Sequence, residues 1–291
     1  MGLELLLDAR WLASIAGVFG LVVGSFLNVV IYRLPLEQSI VAPGSHCPAC
    51  ATPIRALDNV PVLSYLVLAG RCRSCRAPIS PRYPAIELLT GCVFAAIAWR
   101  FGPTGLAVLF MFFAAGLIAA AMIDIDHQII PDEISLGGLA LGLLLVPAVW
   151  TLAGTPYSFA LSQSVLGALI GGGTLWTLGF VHARVSVLLG RRFDHWPGEG
   201  EPLPTPRSLD YWTWFPGMGF GDVKLLGMIG AFLGPLGVLV TILAASFVGL
   251  FLGLGWAALQ GRFSSPFGFG PAIAVGALIA LLVPPSVLGL A

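Results

Sequence analysis

An all-α polytopic membrane protein of about eight transmembrane helices is the fold class this sequence predicts, with a small cytoplasmic four-cysteine zinc-binding loop domain between helices 1 and 2. Three observations predict it. Only 10% of the 291 residues are charged while 57% are hydrophobic, and the mean hydropathy is +0.94, outside the range of soluble domains. Long runs carry no charge at all. Between two such runs lie paired CxxC units, Cys47/Cys50 and Cys72/Cys75.

Taken in order, the runs give the spans. Residues 11–32 and 101–123 are uncharged stretches of 22 and 23 residues. Each is long enough to cross about 30 Å of hydrocarbon at about 1.5 Å per residue. A second span at 83–100 carries Glu87. Ile134 to Ala183 is an uncharged run of 50 residues, broken at Gly154-Thr155-Pro156, which reads as two spans and a turn. The 37 uncharged residues from Leu225 to Gly261 are too few for two full crossings, and Gly234-Pro235 breaks them into a short helix and a longer one. The expected spans are 11–32, 83–100, 104–123, 131–153, 160–183, 222–234, 236–259 and 267–289. The first has Glu4 and Asp8 in its flank and no small-residue cleavage site after it, so it reads as a retained helix and not a signal peptide. Three parts follow: 1–32 the first transmembrane helix, 33–82 the cytoplasmic zinc-binding loop domain and 83–291 a transmembrane core.

Twelve basic residues fall on one side of this topology and only Arg10 and Arg100 on the other. The excess of Lys and Arg marks the cytoplasmic side, which places both termini outside. That distribution accounts for the basic loops, and a net charge of zero argues against a nucleic-acid partner.

Two CxxC units set 21 residues apart bring four thiolates within reach of one tetrahedral Zn²⁺, each unit folding as a knuckle. Disulfides are the competing reading, but a loop on the cytoplasmic side keeps its thiols reduced. Four thiolates fill the coordination shell, so a zinc held by Cys47, Cys50, Cys72 and Cys75 is a staple and not a catalyst. His46 is not needed as a ligand, and Cys92, inside a span, reads as packing.

Six of the 14 acidic residues sit at or inside expected helix ends: Glu87, Asp124, Asp126, Asp132, Glu133 and Asp222. Ionisable groups at membrane depth are costly and mark functional sites by default. One cluster is Ile123-Asp124-Ile125-Asp126-His127, the other Gly217-Met218-Gly219-Phe220-Gly221-Asp222. Asp132 and Glu133 read as first-turn carboxylates meeting a helix dipole, and Asp222 by itself reads equally as an N-cap. Asp124 and Asp126 point in nearly opposite directions if the helix continues through them, so only one of the two faces a shared site. His127 reads as an interfacial polar residue.

Gly24-Ser25-Phe26-Leu27-Asn28 through Arg33-Leu34-Pro35, both CxxC units, Arg82-Tyr83-Pro84, the Asp124-Ile125-Asp126-His127-Gln128 cluster with Pro131-Asp132, Gly219-Phe220-Gly221-Asp222-Val223-Lys224-Leu225-Leu226 and Pro266-Phe267-Gly268-Phe269-Gly270-Pro271 resemble, in order, the signature blocks of the type IV prepilin peptidases. The Gly-x-Gly-Asp element is also similar to that of presenilin-type intramembrane proteases. The resemblance implies a membrane aspartic peptidase that cuts the short basic leader from prepilins or pseudopilins after a glycine at the cytoplasmic face of the inner membrane. It also implies N-methylation of the new amino terminus with S-adenosylmethionine. By the same resemblance the catalytic pair is Asp124 and Asp222, residues 83–291 are the aspartic peptidase core, and Gly70 with the cysteine loop serves methylation. No Gly-rich nucleotide loop on a strand–helix unit is present to hold S-adenosylmethionine in a Rossmann manner.

Other classes fit less well. A proton-coupled transporter also sets acids on broken helices, but it calls for an internal repeat, and the Cys loop has no counterpart in the second half. A metalloenzyme built on Asp124, Asp126, His127 and Asp132 lacks the two-histidine helix spacing of zinc hydrolases. The Pro- and Trp-rich loop 191–216 has no role legible in the sequence.

Overall fold

The computed structural model describes residues 8–190, 205–216, 218–260 and 268–283, and among them the chain is helical with three isolated bridge pairs and no strand. It divides into two compact units, residues 1–127 and 128–291.

The first unit holds α1 (Ala9–Arg33), α2 (Leu63–Val67), α3 (Arg82–Phe101) and α4 (Gly105–His127). Asp8 caps α1 by accepting from the Arg10 backbone N–H at 3.0 Å, and Arg33 in the last turn meets the negative end of the helix dipole. Where lipid offers no hydrogen bonds, helices associate by close backbone approach, and small residues mark the contact. A Cβ on Gly24 would stand 2.7 Å from Glu87 Cα, so a side chain there would force α1 away from α3. Asn28 fastens the same crossing by donating to the Tyr83 carbonyl at 3.2 Å. Phe113, Leu117, Ala120 and Ile123 of α4 are buried, which makes α4 the core helix of the unit.

The second unit holds α5 (Asp132–Leu152), α6 (Tyr157–Leu188), α7 (Asp210–Thr213), α8 (Phe220–Gln260) and α9 (Gly270–Leu282). Gly167 of α6 and Gly230 of α8 lie so close that a side chain on either would overlap the other's backbone. Leu225, Leu226, Ile229 and Val238 of α8 are fully buried, so α8 is the axis of this unit.

Among the described residues six helices, α1, α3, α4, α5, α6 and α8, are long and apolar enough to cross a bilayer, and this chain is a multi-pass membrane protein. Eight full crossings are not established among the described residues, where two of the expected segments are short helices. The two segments expected at 222–234 and 236–259 are two helices that meet at Gly234 inside α8, where the sequence places the break. There φ is 69°, a left-handed angle that glycine adopts without a Cβ clash, and Pro235 supplies no N–H to bridge the break. The last expected span appears as α9, whose 13 residues are short of the roughly 20 a crossing needs. The rest of that expected span lies largely outside the described residues.

Candidate active site and metal centre

The two CxxC units fold identically, 25 positions apart. His46 pairs with Pro53 as Arg71 pairs with Pro78. The Cys47 N–H donates to the Thr52 carbonyl at 3.0 Å, as Cys72 does to Ala77 at 2.8 Å. Ala51 and Arg76, each following the second cysteine of its unit, adopt φ of 55° and 61°. Each is a turn that aims two thiols at one point, and the four Sγ atoms lie within 4.8 Å of one another. Cys47 Sγ and Cys75 Sγ are 3.8 Å apart. Tetrahedral zinc with Zn–S bonds of about 2.3 Å separates its sulfurs by about 3.8 Å, so the donor set fits that ion. No disulfide links the four thiols in this structure, and Cys92 is exposed on α3, not packed inside. His46 turns to the Gly44 carbonyl and takes no part in the cluster.

The thiols do not titrate alike. The hydroxyl and backbone of Thr52 draw Cys50 down to about 6. Backbone hydrogen bonds at Cys75 and Ser74 also lower Cys72. A backbone hydrogen bond at Ala77 favours the Cys75 thiolate, but burial and the other three thiols outweigh it and push this group up to about 11. Four thiolates in so small a volume repel one another, and a divalent cation is what relieves that. Zinc loading at neutral pH must therefore release protons, and affinity for the ion should fall as pH drops. Zinc titrations in buffers of different ionisation enthalpy would show the release; buffer-independent heats would contradict it.

Gly70, with φ of 65°, ends α2 by donating to the Tyr65 carbonyl at 2.9 Å and opens the second knuckle by accepting from Ile79 at 2.7 Å. A Cβ there would come within 3.0 Å of the Tyr65 hydroxyl. Arg73 clamps Asp58 through both carboxylate oxygens, at 2.6 to 2.9 Å, which ties the turn at 56–59 to that knuckle. The Arg73 guanidinium holds the Asp58 carboxyl below its usual range. A depressed carboxylate contributes stability above its unfolded value and loses it as pH falls through the folded one. Amide protection factors over residues 55–60, taken relative to the intrinsic exchange rate at each pH, should thus fall below about pH 4, and unchanged protection there would refute the clamp.

Glu87 is 8% exposed and accepts the Val62 N–H at 2.7 Å. Val62 is a β-branched residue at φ 60° and ψ −49°, inside a tight turn closed by Leu63 N–H to the Pro61 carbonyl. Such a conformation costs about 1–3 kcal/mol and persists where the surroundings hold it. The buried carboxylate of Glu87 is part of that hold.

Helix α4 continues through His127, so Asp124 and Asp126 face different ways. Asp124 is 5% exposed, whereas Asp126 and His127 are exposed. Arg82, at the start of α3, donates to Asp126 at 2.6 Å and to the Met122 carbonyl at 3.1 Å, pinning the last turn of α4 on the side away from Asp124.

In the second unit Asp222 is the third residue of α8 and 8% exposed. It is therefore not an N-cap, but it does meet the positive end of the helix dipole. Two residues on, Lys224 pairs with Asp132 in the first turn of α5, so Asp132 has an ion-pair partner as well as the dipole expected for it. Gly221 lies against Ile130, which would sit 3.1 Å from a Cβ. Residues 205–216 of the loop without a legible role brace this turn. Arg184 stacks 3.6 Å over Tyr211 and donates to its carbonyl, Trp176 donates to the Trp212 carbonyl at 2.9 Å, and Phe180 stacks on Trp212. Sequence reasoning missed this brace; its signal was Trp176, Phe180 and Arg184 recurring every fourth residue on one face of α6. Residues 191–204 and Gly217 lie outside the described residues.

Residues 18–101 match the family model of the bacterial peptidase A24 N-terminal domain, and residues 111–254 match that of the type IV leader peptidase family. A protein of Aeromonas hydrophila named prepilin leader peptidase/N-methyltransferase is 35% identical over 96% of this chain and 94% of its own length. The chain belongs to the type IV leader peptidase family. Relatives of the same name in Neisseria gonorrhoeae and Pseudomonas aeruginosa are 35% and 36% identical, each over 91% of this chain and 88% of theirs. No solved structure matches. Membership in this peptidase family leaves the transporter alternative without support. The four-thiol cluster falls within the N-terminal family match, and Asp222 within the leader peptidase match.

Proposed function

We propose that this chain is a bifunctional leader peptidase and N-methyltransferase of the bacterial inner membrane. Its substrates are prepilins or pseudopilins, cut after the glycine that ends their basic leader, and the new amino terminus is methylated with S-adenosylmethionine. The observation that carries the reading is that Asp124 and Asp222 are buried at apolar helix ends, one in each unit, in a chain coextensive with relatives named for both activities.

In this reading the two carboxylates share one proton around a water, since neighbouring carboxylates do not both ionise. The ionised member takes a proton from the water as it attacks the scissile carbonyl. The protonated member polarises that carbonyl and then protonates the leaving amine. Leader cleavage by membranes carrying Asp124→Asn or Asp222→Asn tests it; full activity in either variant would displace that residue from the site. Basic residues on one side of the spans support a cytoplasmic site and outward termini.

Residues 33–82 are the zinc domain, with Cys47, Cys50, Cys72 and Cys75 as ligands, and 83–291 the peptidase core. S-adenosylmethionine supplies an electrophilic methyl group, and the chain's task is to present the new amine with its lone pair free. Gly70 serves that step through the knuckle it opens.

Arg82 is a positioning residue for Asp124. Arg82→Asp should lower kcat roughly ten- to a hundredfold with little change in KM, because small misplacements of a reacting group are costly. The charge swap Arg82→Asp with Asp126→Arg should recover most of it. Stability should change by less than about 1 kcal/mol, as for other partly exposed pairs. A swap no better than the single variant would count against this role.

A further inference from the structure

Helix α2 presents Leu63, Leu66 and Val67 on one face, at spacings of three and four residues, and they are 60%, 66% and 78% exposed. Leu57, in the adjoining turn, is 83% exposed. A water-facing loop does not ordinarily carry four such side chains in eleven residues.

The depth of this face is set by one hydrogen bond. Glu87 is the sixth residue of α3, about 8 Å along a membrane-spanning helix from its start at Arg82. Its carboxylate receives the N–H of Val62, the residue just before α2. That bond holds α2 level with the first turns of a spanning helix, where headgroups meet acyl chains. Both ends of the loop are tethered there too, by α1 at Arg33 and α3 at Arg82.

The charge around the face has one sign. Arg55, Arg71 and Arg76 are exposed and in no ion pair among the described residues, while the one acid between Arg55 and Arg76, Asp58, is taken by Arg73. We infer that α2 is an interfacial anchor. Leu57, Leu63, Leu66 and Val67 enter the boundary of the cytoplasmic leaflet, and Arg55, Arg71 and Arg76 bind the phosphates of its anionic lipids. Apolar burial together with basic charge is the combination that holds an amphipathic segment at an anionic surface. The anchor presses the four-thiol domain flat against the membrane, at the level where a spanning substrate emerges.

The leaflet named rests on the orientation proposed above, so the test is built not to depend on it. The full-length zinc-loaded protein, one copy per lipid nanodisc with the same lipid on both faces, is footprinted with hydroxyl radicals and read by mass spectrometry. Val41, 85% exposed and outside the face, is the internal reference. In discs containing phosphatidylglycerol, labelling of Leu57, Leu63, Leu66 and Val67 relative to Val41 should be at least about threefold lower than in phosphatidylcholine alone. The triple variant Arg55→Gln, Arg71→Gln, Arg76→Gln should lose that difference while retaining its zinc. If its zinc is lost, Arg55→Gln alone, outside the knuckles, should reduce the difference in part. Labelling that tracks Val41 in both lipids would overturn the anchor. Protection equal in both lipids and in the variants would overturn the anionic-lipid assignment. Neither result bears on whether the aspartates cleave leaders.

Discussion

Asp124→Asn and Asp222→Asn should each lower leader cleavage by roughly 10³-fold, the middle of the range for losing a positioned proton donor or acceptor. The carboxamide keeps the size and most hydrogen-bonding capacity of the carboxylate but exchanges no proton. Both side chains are buried at helix ends, so the substitution removes a charge that is costly to enclose and should leave folding intact. Monodisperse extraction in detergent would verify that. Asp126→Asn is the informative comparison, because Asp126 is exposed and its partner is Arg82. It should cost no more than the Arg82 variant. If Asp126→Asn abolished cleavage while Asp124→Asn retained it, the assignment within the first cluster would be reversed. A substrate-bound pair acting as one unit also implies that the double variant is scarcely worse than either single one.

The second large effect concerns the four thiols. On the proposed reading, Cys72→Ser or Cys75→Ser removes one of four ligands to a structural zinc, whose binding free energy is in large part the folding free energy of such a domain. Methylation should fall by more than the roughly ten- to hundredfold that loss of a hydrogen-bond partner of a metal ligand costs. Cleavage should fall far less, because Asp124 and Asp222 sit on α4 and α8 and not on the knuckles. Metal content of the purified variant and the two activities assayed side by side would decide the matter. Equal loss of both activities would mean that zinc supports the whole protein and not the methylation step.

The knuckles were the most legible part of the site, since four cysteines in two CxxC units have few geometries open to them. The aspartates were legible because a charge inside an apolar run needs a reason. Their neighbours were not. Sequence marked Asp126 and Asp132 as acidic residues at helix ends, but the partners, Arg82 and Lys224, stand 44 and 92 positions away. Pairings at such separations are made by helix packing and leave no local pattern. The same holds for Glu87, whose partner is a backbone N–H and therefore carries no side-chain signature at all.

Charge spacing placed the break inside α8 correctly, and for a physical reason. It measures how much apolar chain is available, and Gly234-Pro235 interrupts that chain as plainly as a loop would. Whether such a break becomes a turn or a kink depends on what packs on either side. Here the break is a kink at Gly234 between two helices, with α6 and α9 packed against α8.

What the sequence determined by itself was therefore composition-level and local: a membrane protein, its apolar segments, a four-thiol cluster and two candidate acids. These follow from solvation cost and from ligand chemistry, which act residue by residue. Only the tertiary structure decided which acid of the first cluster turns inward, which ions pair, and that Val62 is held by Glu87. Rotation about a helix axis and partner choice across helices are set by packing, and packing is a property of the whole fold.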